Sequence, residues 1–176
     1  MTTPNESSPR WQLDSIYPGL DSREFNTAWQ QLDEKLAQLE SHLHSGLGTG
    51  RATVESTIKL FNDSCVLAHD LAAYLYLITS TDSFDEAAHA KLSALDRHEV
   101  RLDIIEAKLT AWIGRLELEP LLEQSGFLKE HEFWLRRQAK LAGHLLDEPA
   151  EEIAAALNPT GGNAWAKLHD QLVGRE

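Results

Sequence analysis

Cysteine occurs once, at Cys65, so no disulfide can close within the chain and the fold must hold by packing. Its neighbours Val66, Leu67 and Ala68 mark it as a small buried hydrophobe rather than a reactive thiol. Basic residues are also scarce. Sixteen Lys and Arg against 28 Asp and Glu leave a formal net charge of −12, which repels phosphate backbones and anionic bilayers. The reading is therefore of no nucleic-acid and no membrane partner. Long hydrophobic runs are absent too: the most apolar stretch, Cys65 to Ile78, contains His69 and Asp70 and is too short to span a bilayer. The opening MTTPNESSPR has no apolar core, so it reads as neither signal peptide nor anchor, and with the sparse cysteine it points to a cytoplasmic protein. Sustained alternation of β-branched or aromatic residues is missing as well. That leaves an all-α fold.

What is present is helical periodicity. Residues 1–9 read as a disordered lead, and residues 10–176 as one helical domain. WQLDSIYPGL forms an extended segment with a turn at Pro18-Gly19. Asp21 and Glu24 have capping-box spacing and open a first helix, with Phe25, Trp29, Leu32, Leu36, Leu39 and Leu43 on one face and an end near Gly46. A second helix is expected over about 53–79, apolar nearly all round in its latter half. Ser83 and Glu86 open a third, to about Leu116. Its residues Leu95, Leu102, Leu109 and Leu116 recur every seven positions as the seam of a long antiparallel hairpin with the second helix. Shorter helices follow: Pro120 to Gln124, stopped by Gly126; Lys129 to His144, carrying Phe133, Trp134, Leu141 and Leu145; and one capped by Asp147 and ending near Leu157. The last runs over about 163–173, entered through NPTGGNAW.

The chemistry is thin. A helical zinc peptidase site needs His-Glu-x-x-His, whose histidines share one face. His98-Glu99 and His131-Glu132 begin that motif, but Leu102 and Leu135 stand where the second histidines would be. Both histidines read as solvated or partly buried, His42 and His44 as surface residues, and His69 as a hydrogen-bonded core histidine. No nucleophile elbow exists, and Glu117, Glu119 and Glu123 read as a wet acidic edge. Tyr74 and Tyr76 point to opposite sides of their helix. The Thr160-Gly161-Gly162 turn lacks the Lys and Ser or Thr of a phosphate loop and reads as a helix start. There Thr160 or Asn163 caps free amides, and the glycines take backbone angles closed to other residues. Trp165, Leu168 and Leu172 then form an apolar stripe that needs cover. No catalytic, cofactor-binding or metal-ligating residue is assigned.

Two segments resemble a known family. Trp11, Leu13, Ile16, Tyr17, Pro18 and Gly19 match an opening motif of the oligoendopeptidase F family of zinc metallopeptidases. Pro159, Thr160, Gly161, Ala164, Trp165, Leu168 and Leu172 match a later one, with His169 where a tyrosine is common. The resemblance implies a non-catalytic N-terminal domain that forms one wall of the cleft of a parent hydrolysing short peptides. It also implies that the zinc, the His-Glu-x-x-His ligands and the general base lie in a catalytic domain absent from these residues. The partners expected are that domain and, in the parent, short peptides. The alternative is a free-standing helical scaffold or partner-binding module.

Overall fold

The computed structural model describes residues 12–173. The expected lead over 1–9 and Trp11 of the opening motif lie outside them. Every regular element among the described residues is helical: α1 (Arg23–Ser45), α2 (Arg51–Thr81), α3 (Glu86–Ile113), α4 (Leu118–Gln124), α5 (Gly126–Glu130), α6 (Glu132–Leu141), a 3₁₀ turn (Ala142–His144), α7 (Glu148–Leu157) and α8 (Gly162–Val173). The chain is all-α.

Helices α1, α2 and α3 pack mutually, and α3 also carries α6 and α7. The short connection 82–85 makes α2 and α3 an antiparallel hairpin. Leu95, Ile105, Leu109 and Trp112 of its expected seam are buried, whereas Leu102 and Leu116 are half-buried. The third helix is thus the centre of the bundle, packed on several neighbours rather than along one seam.

Two helix starts fall later than the capping-box spacings predict. Ser22, not Asp21, caps α1: its hydroxyl accepts from the Phe25 N–H at 3.1 Å. The Asn26 side-chain amide meanwhile donates to the Asp21 and Ser22 carbonyls, at 3.2 and 2.9 Å. At α3 the Asp82 carboxylate accepts from the Phe84 N–H at 3.0 Å, closing an Asx turn that occupies Ser83. The cap therefore falls to Asp85, which accepts from the Ala88 N–H at 2.9 Å. Asp147 caps α7 as expected, accepting from the Ala150 N–H at 3.1 Å with Pro149 in the first turn. Replacing it with alanine should cost about 1 kcal/mol, measured by denaturant unfolding.

The middle of the chain is more broken than its periodicity suggests. Gly126 does not stop a helix but begins α5, because Ser125 just before it is extended and caps the Leu128 N–H at 3.1 Å. The single helix expected over 129–144 is interrupted at His131. Its Nδ1 lies 2.8 Å from the Phe127 carbonyl and its Nε2 2.8 Å from the Asn62 amide nitrogen. Those partners select the neutral tautomer that donates from Nδ1 and accepts at Nε2. In α6 the core-facing residues are Leu135 and Gln138, Trp134 stacks on Phe61, and Phe133 is 82% exposed. Gln138 bridges elements from inside: it accepts from the Thr110 hydroxyl at 2.9 Å and donates to Glu106 at 3.1 Å.

Helix α3 ends at Ile113, short of Leu116, where Gly114 meets the 3₁₀ turn. A Cβ on Gly114 would collide with the Cβ of Ala142, although the Gly114 backbone itself is ordinary αR. The glycine serves close approach, not conformation. Gly114→Ala should destabilise the chain by about 1–3 kcal/mol, and Gly114→Ala with Ala142→Gly should recover most of that in thermal unfolding.

The opening motif has a packing role. Tyr17 sits edge-on to Phe25 and Tyr74, with centroids 5.5 and 5.1 Å apart, and Leu13 packs on the same core. Burial pushes the Tyr17 and Tyr74 hydroxyls above their ordinary pKa, with smaller contributions from Asp70 and Asp14 respectively. The lead-in is thereby seated on α1 and α2.

Candidate functional site

The surface that stands out lies at the C-terminal end of the described chain. Helix α7 is held to α3 by Lys108, whose ammonium lies 2.9 Å from both Glu148 and Glu152. That pairing draws the Glu148 carboxyl below its ordinary pKa. Helix α8 is tied to the bundle by Lys167, 2.6 Å from Asp96 on α3. Between the two helices the chain turns by backbone bonds: the Gly161 N–H donates to the Leu157 carbonyl at 2.8 Å and the Asn163 N–H to the Asn158 carbonyl at 3.3 Å.

This turn departs from the sequence reading. The Thr160 hydroxyl donates back to the Leu157 carbonyl at 3.1 Å, closing α7 instead of capping α8. Gly161 and Gly162 hold no positive φ; among the described residues Gly46 alone does, at the end of α1. The use of Gly161 is spatial, since a Cβ there would press on the Leu157 carbonyl oxygen at 3.1 Å.

The apolar stripe is placed as the periodicity predicts, but it is uncovered. Trp165 is 74% exposed, and Leu168, Leu172 and Val173 are exposed beside it. On α7, Ile153 and Leu157 are exposed too. Six large apolar side chains are exposed on these two consecutive helices, neither of which has a buried residue to show for its apolar face among those described, whereas each of α1 to α3 buries several. Scattered surface leucines are ordinary, whereas a contiguous helical face of them marks a contact surface.

Among the described residues no group of three or more His, Cys, Asp or Glu could hold a metal ion. His69 is exposed rather than in the core. The buried histidine is His98, 7% exposed, whose Nε2 lies 3.0 Å from Asp33 and whose ring meets Trp29 edge-on at 5.0 Å. Arg101 joins the cluster, reaching Glu40 at 2.7 Å and Asp33 at 3.0 Å, so the group fastens α3 to α1. Its signal in the sequence was the spacing of His98 and Arg101 on one face of α3. Its partners on α1 were not legible. Glu117, Glu119 and Glu123 are exposed, as expected, though Glu119 also clamps Arg136 of α6 at 2.8 and 2.9 Å. Tyr74 is buried and Tyr76 exposed, on opposite sides of α2.

Cys65 is half-buried against the core, and its burial, reinforced by the charge of Glu106, pushes the thiol pKa up to about 11. The thiol is therefore neutral at pH 7–8. Alkylation should be slow there and accelerate only as the pH approaches 11, in a mass-spectrometric time course. The same shift lowers stability as pH rises from 9.0, where an unfolded thiol ionises, towards 11.

The exposed helices fall inside a segment with a recognisable signature. Residues 106–175 match the family model of oligopeptidase F, peptidase family M3 N-terminal. That segment is similar to the oligopeptidase F N-terminal family. The match runs from the second half of α3 through α8 and contains the Pro159–Leu172 motif, while the Trp11–Gly19 motif precedes it. No curated protein and no solved structure matches the chain. Among the described residues no helix is long and apolar enough to cross a membrane.

Proposed function

We propose that the chain is the non-catalytic N-terminal helical domain, spanning residues 10–176, of an oligoendopeptidase F-like zinc metallopeptidase, and that it forms one wall of the cleft in which the parent hydrolyses short peptides. One observation carries the reading. The apolar faces of α7 and α8, within the segment that bears the oligopeptidase F signature, are left exposed. In the proposal these faces pack against the catalytic domain, and α8 is the helix that leads towards it.

The described residues do not fit a zinc site, so no step of hydrolysis is assigned to them. The metal would activate water and a glutamate would act as general base in the catalytic segment. The bundle's contribution is shape. A rigid helical wall narrows access, so that short or unfolded peptides enter and folded ones do not. The reading also places the protein in the cytoplasm.

The reading frame downstream of the Glu176 codon offers a direct test. A His-Glu-x-x-His motif encoded there is the expected result. A downstream sequence with no such motif overturns the proposal in favour of a free-standing helical module.

A further inference from the structure

Residues 148–173, helices α7 and α8 with the turn between them, rest on the bundle without entering it. No described residue of either helix is buried. No apolar side chain described on them belongs to the core or to the half-buried residues packed on it. Their half-buried apolar residues are alanines, Ala150, Ala155 and Ala164, which offer little area. A cavity of about 660 Å³ lies between the start of α7, the end of α1 and the second half of α3, with Leu43, Ile104, Ala111, Glu148 and Glu152 in its walls. A helix beside such a gap forgoes the dispersion contacts that close packing would give it.

The bonds described above between these helices and α3 are ionic. Lys108 reaches Glu148 and Glu152 at 2.9 Å each, and Lys167 reaches Asp96 at 2.6 Å. Within the segment the joint is stiff, because the Gly161 and Asn163 N–H groups and the Thr160 hydroxyl all donate back to the Leu157 or Asn158 carbonyls. Ahead of it the chain is extended at Leu145 and Asp147, with ψ of 145° and 156°, so residues 145–147 form a short non-helical connector after the 3₁₀ turn. Glu151 accepts the Leu146 N–H at 2.8 Å, a bond between connector and helix that does not reach the bundle.

We infer that residues 148–173 are an arm latched to α3 by charge, which lifts from the bundle as one unit about the 145–147 connector while α1 to α6 stay packed. Ion pairs at the surface are individually weak and are screened by salt. A segment with few buried apolar contacts opens at far less cost than a core. Release carries the exposed face of Ile153, Leu157, Trp165 and Leu168 with it, so the latch sets how that face is presented. The inference stands on the geometry of this chain and does not rest on the peptidase reading.

Hydrogen exchange of the full chain, read by mass spectrometry between about 0.01 and 1 M sodium chloride, tests it, since the screening length falls there from about 30 to 3 Å. Helices of 10 and 12 residues are marginal once released, so release exposes their amides. Peptides from α7 and from α8 should exchange faster at high salt by the same factor, on the order of fivefold, while those from α1, α2 and α3 do not change. Lys108→Met with Lys167→Met, which keeps the apolar stems, should give the fast exchange at low salt and remove the salt response. Lys167→Glu alone should quicken exchange in the same segment, and adding Asp96→Lys should slow it again. Exchange in 148–173 indifferent to salt, a response confined to α8, equal loosening of α1 to α3, a salt response that survives the loss of both lysines, or a charge swap that restores nothing would each overturn the inference.

Discussion

Phe25→Ala should lower the stability of the chain by about 3–5 kcal/mol, a fall of roughly 6–20 °C in its thermal midpoint. Phe25 is fully buried and joins three things at once. Its N–H is the one capped by Ser22, its ring lies 5.5 to 5.8 Å from those of Tyr17, Trp29 and Tyr74, and Lys91 stands 5.7 Å above it. Truncation leaves a cavity between α1, α2 and the seated lead-in, and the cap survives because it uses only the backbone N–H of Phe25. The loss should therefore appear as a cavity effect, with the unfolding cooperativity retained. Phe133→Ala is the control. That ring is also a phenylalanine on a helix, but it is exposed, so its loss should fall within about 0.5 kcal/mol. Equal effects from the two substitutions would contradict the burial assigned to them.

The second large effect depends on context. In the chain alone Trp165→Ala should be nearly silent, within about 0.5 kcal/mol, because the indole covers nothing. In the full-length peptidase of the proposed reading the same substitution should cost about 3–5 kcal/mol, the range for removing a buried tryptophan, and loosen the hold of α8 on the catalytic domain. The comparison is a pair of calorimetric scans on each background. A matching small effect in both would mean that the α8 face stays wet in the parent. A large effect in the chain alone would mean that α8 already packs on the bundle. The Lys167–Asp96 pair does not blur this contrast, since an exposed ion pair contributes little and is common to both backgrounds.

The long helices were legible because their apolar residues keep a strict 3.6-residue period over many turns, and α1 to α3 bury the residues that period selects. Asp147 and Pro149 were legible as a start signal because nothing else near them competes for the cap. Ser22 and Asp85 were not, since each stands near another good capping residue and the choice falls to a further side-chain bond, that of Asn26 in the first turn of α1 or the turn made by Asp82 before α3. The break at His131 was hidden for a like reason: the Asn62 that holds its ring is 69 residues away in sequence. Gly114 carried no local signal at all, because its need is the approach of Ala142. At the candidate surface the stripe Trp165, Leu168, Leu172 was readable by spacing, but its exposure was not. Periodicity reports which residues share a face, and only tertiary packing reports whether the face is covered. A cavity beside Trp112 lay beyond the sequence altogether, for it is bounded by the end of α1, the second half of α3 and the start of α7.

The proposal that these helices are a wall and not an enzyme is tested most directly by assaying the purified chain on a quenched fluorescent oligopeptide, with and without a chelator. The account predicts no turnover above the uncatalysed background and no change on chelation. Steady cleavage by the chain alone, abolished by the chelator, would contradict it.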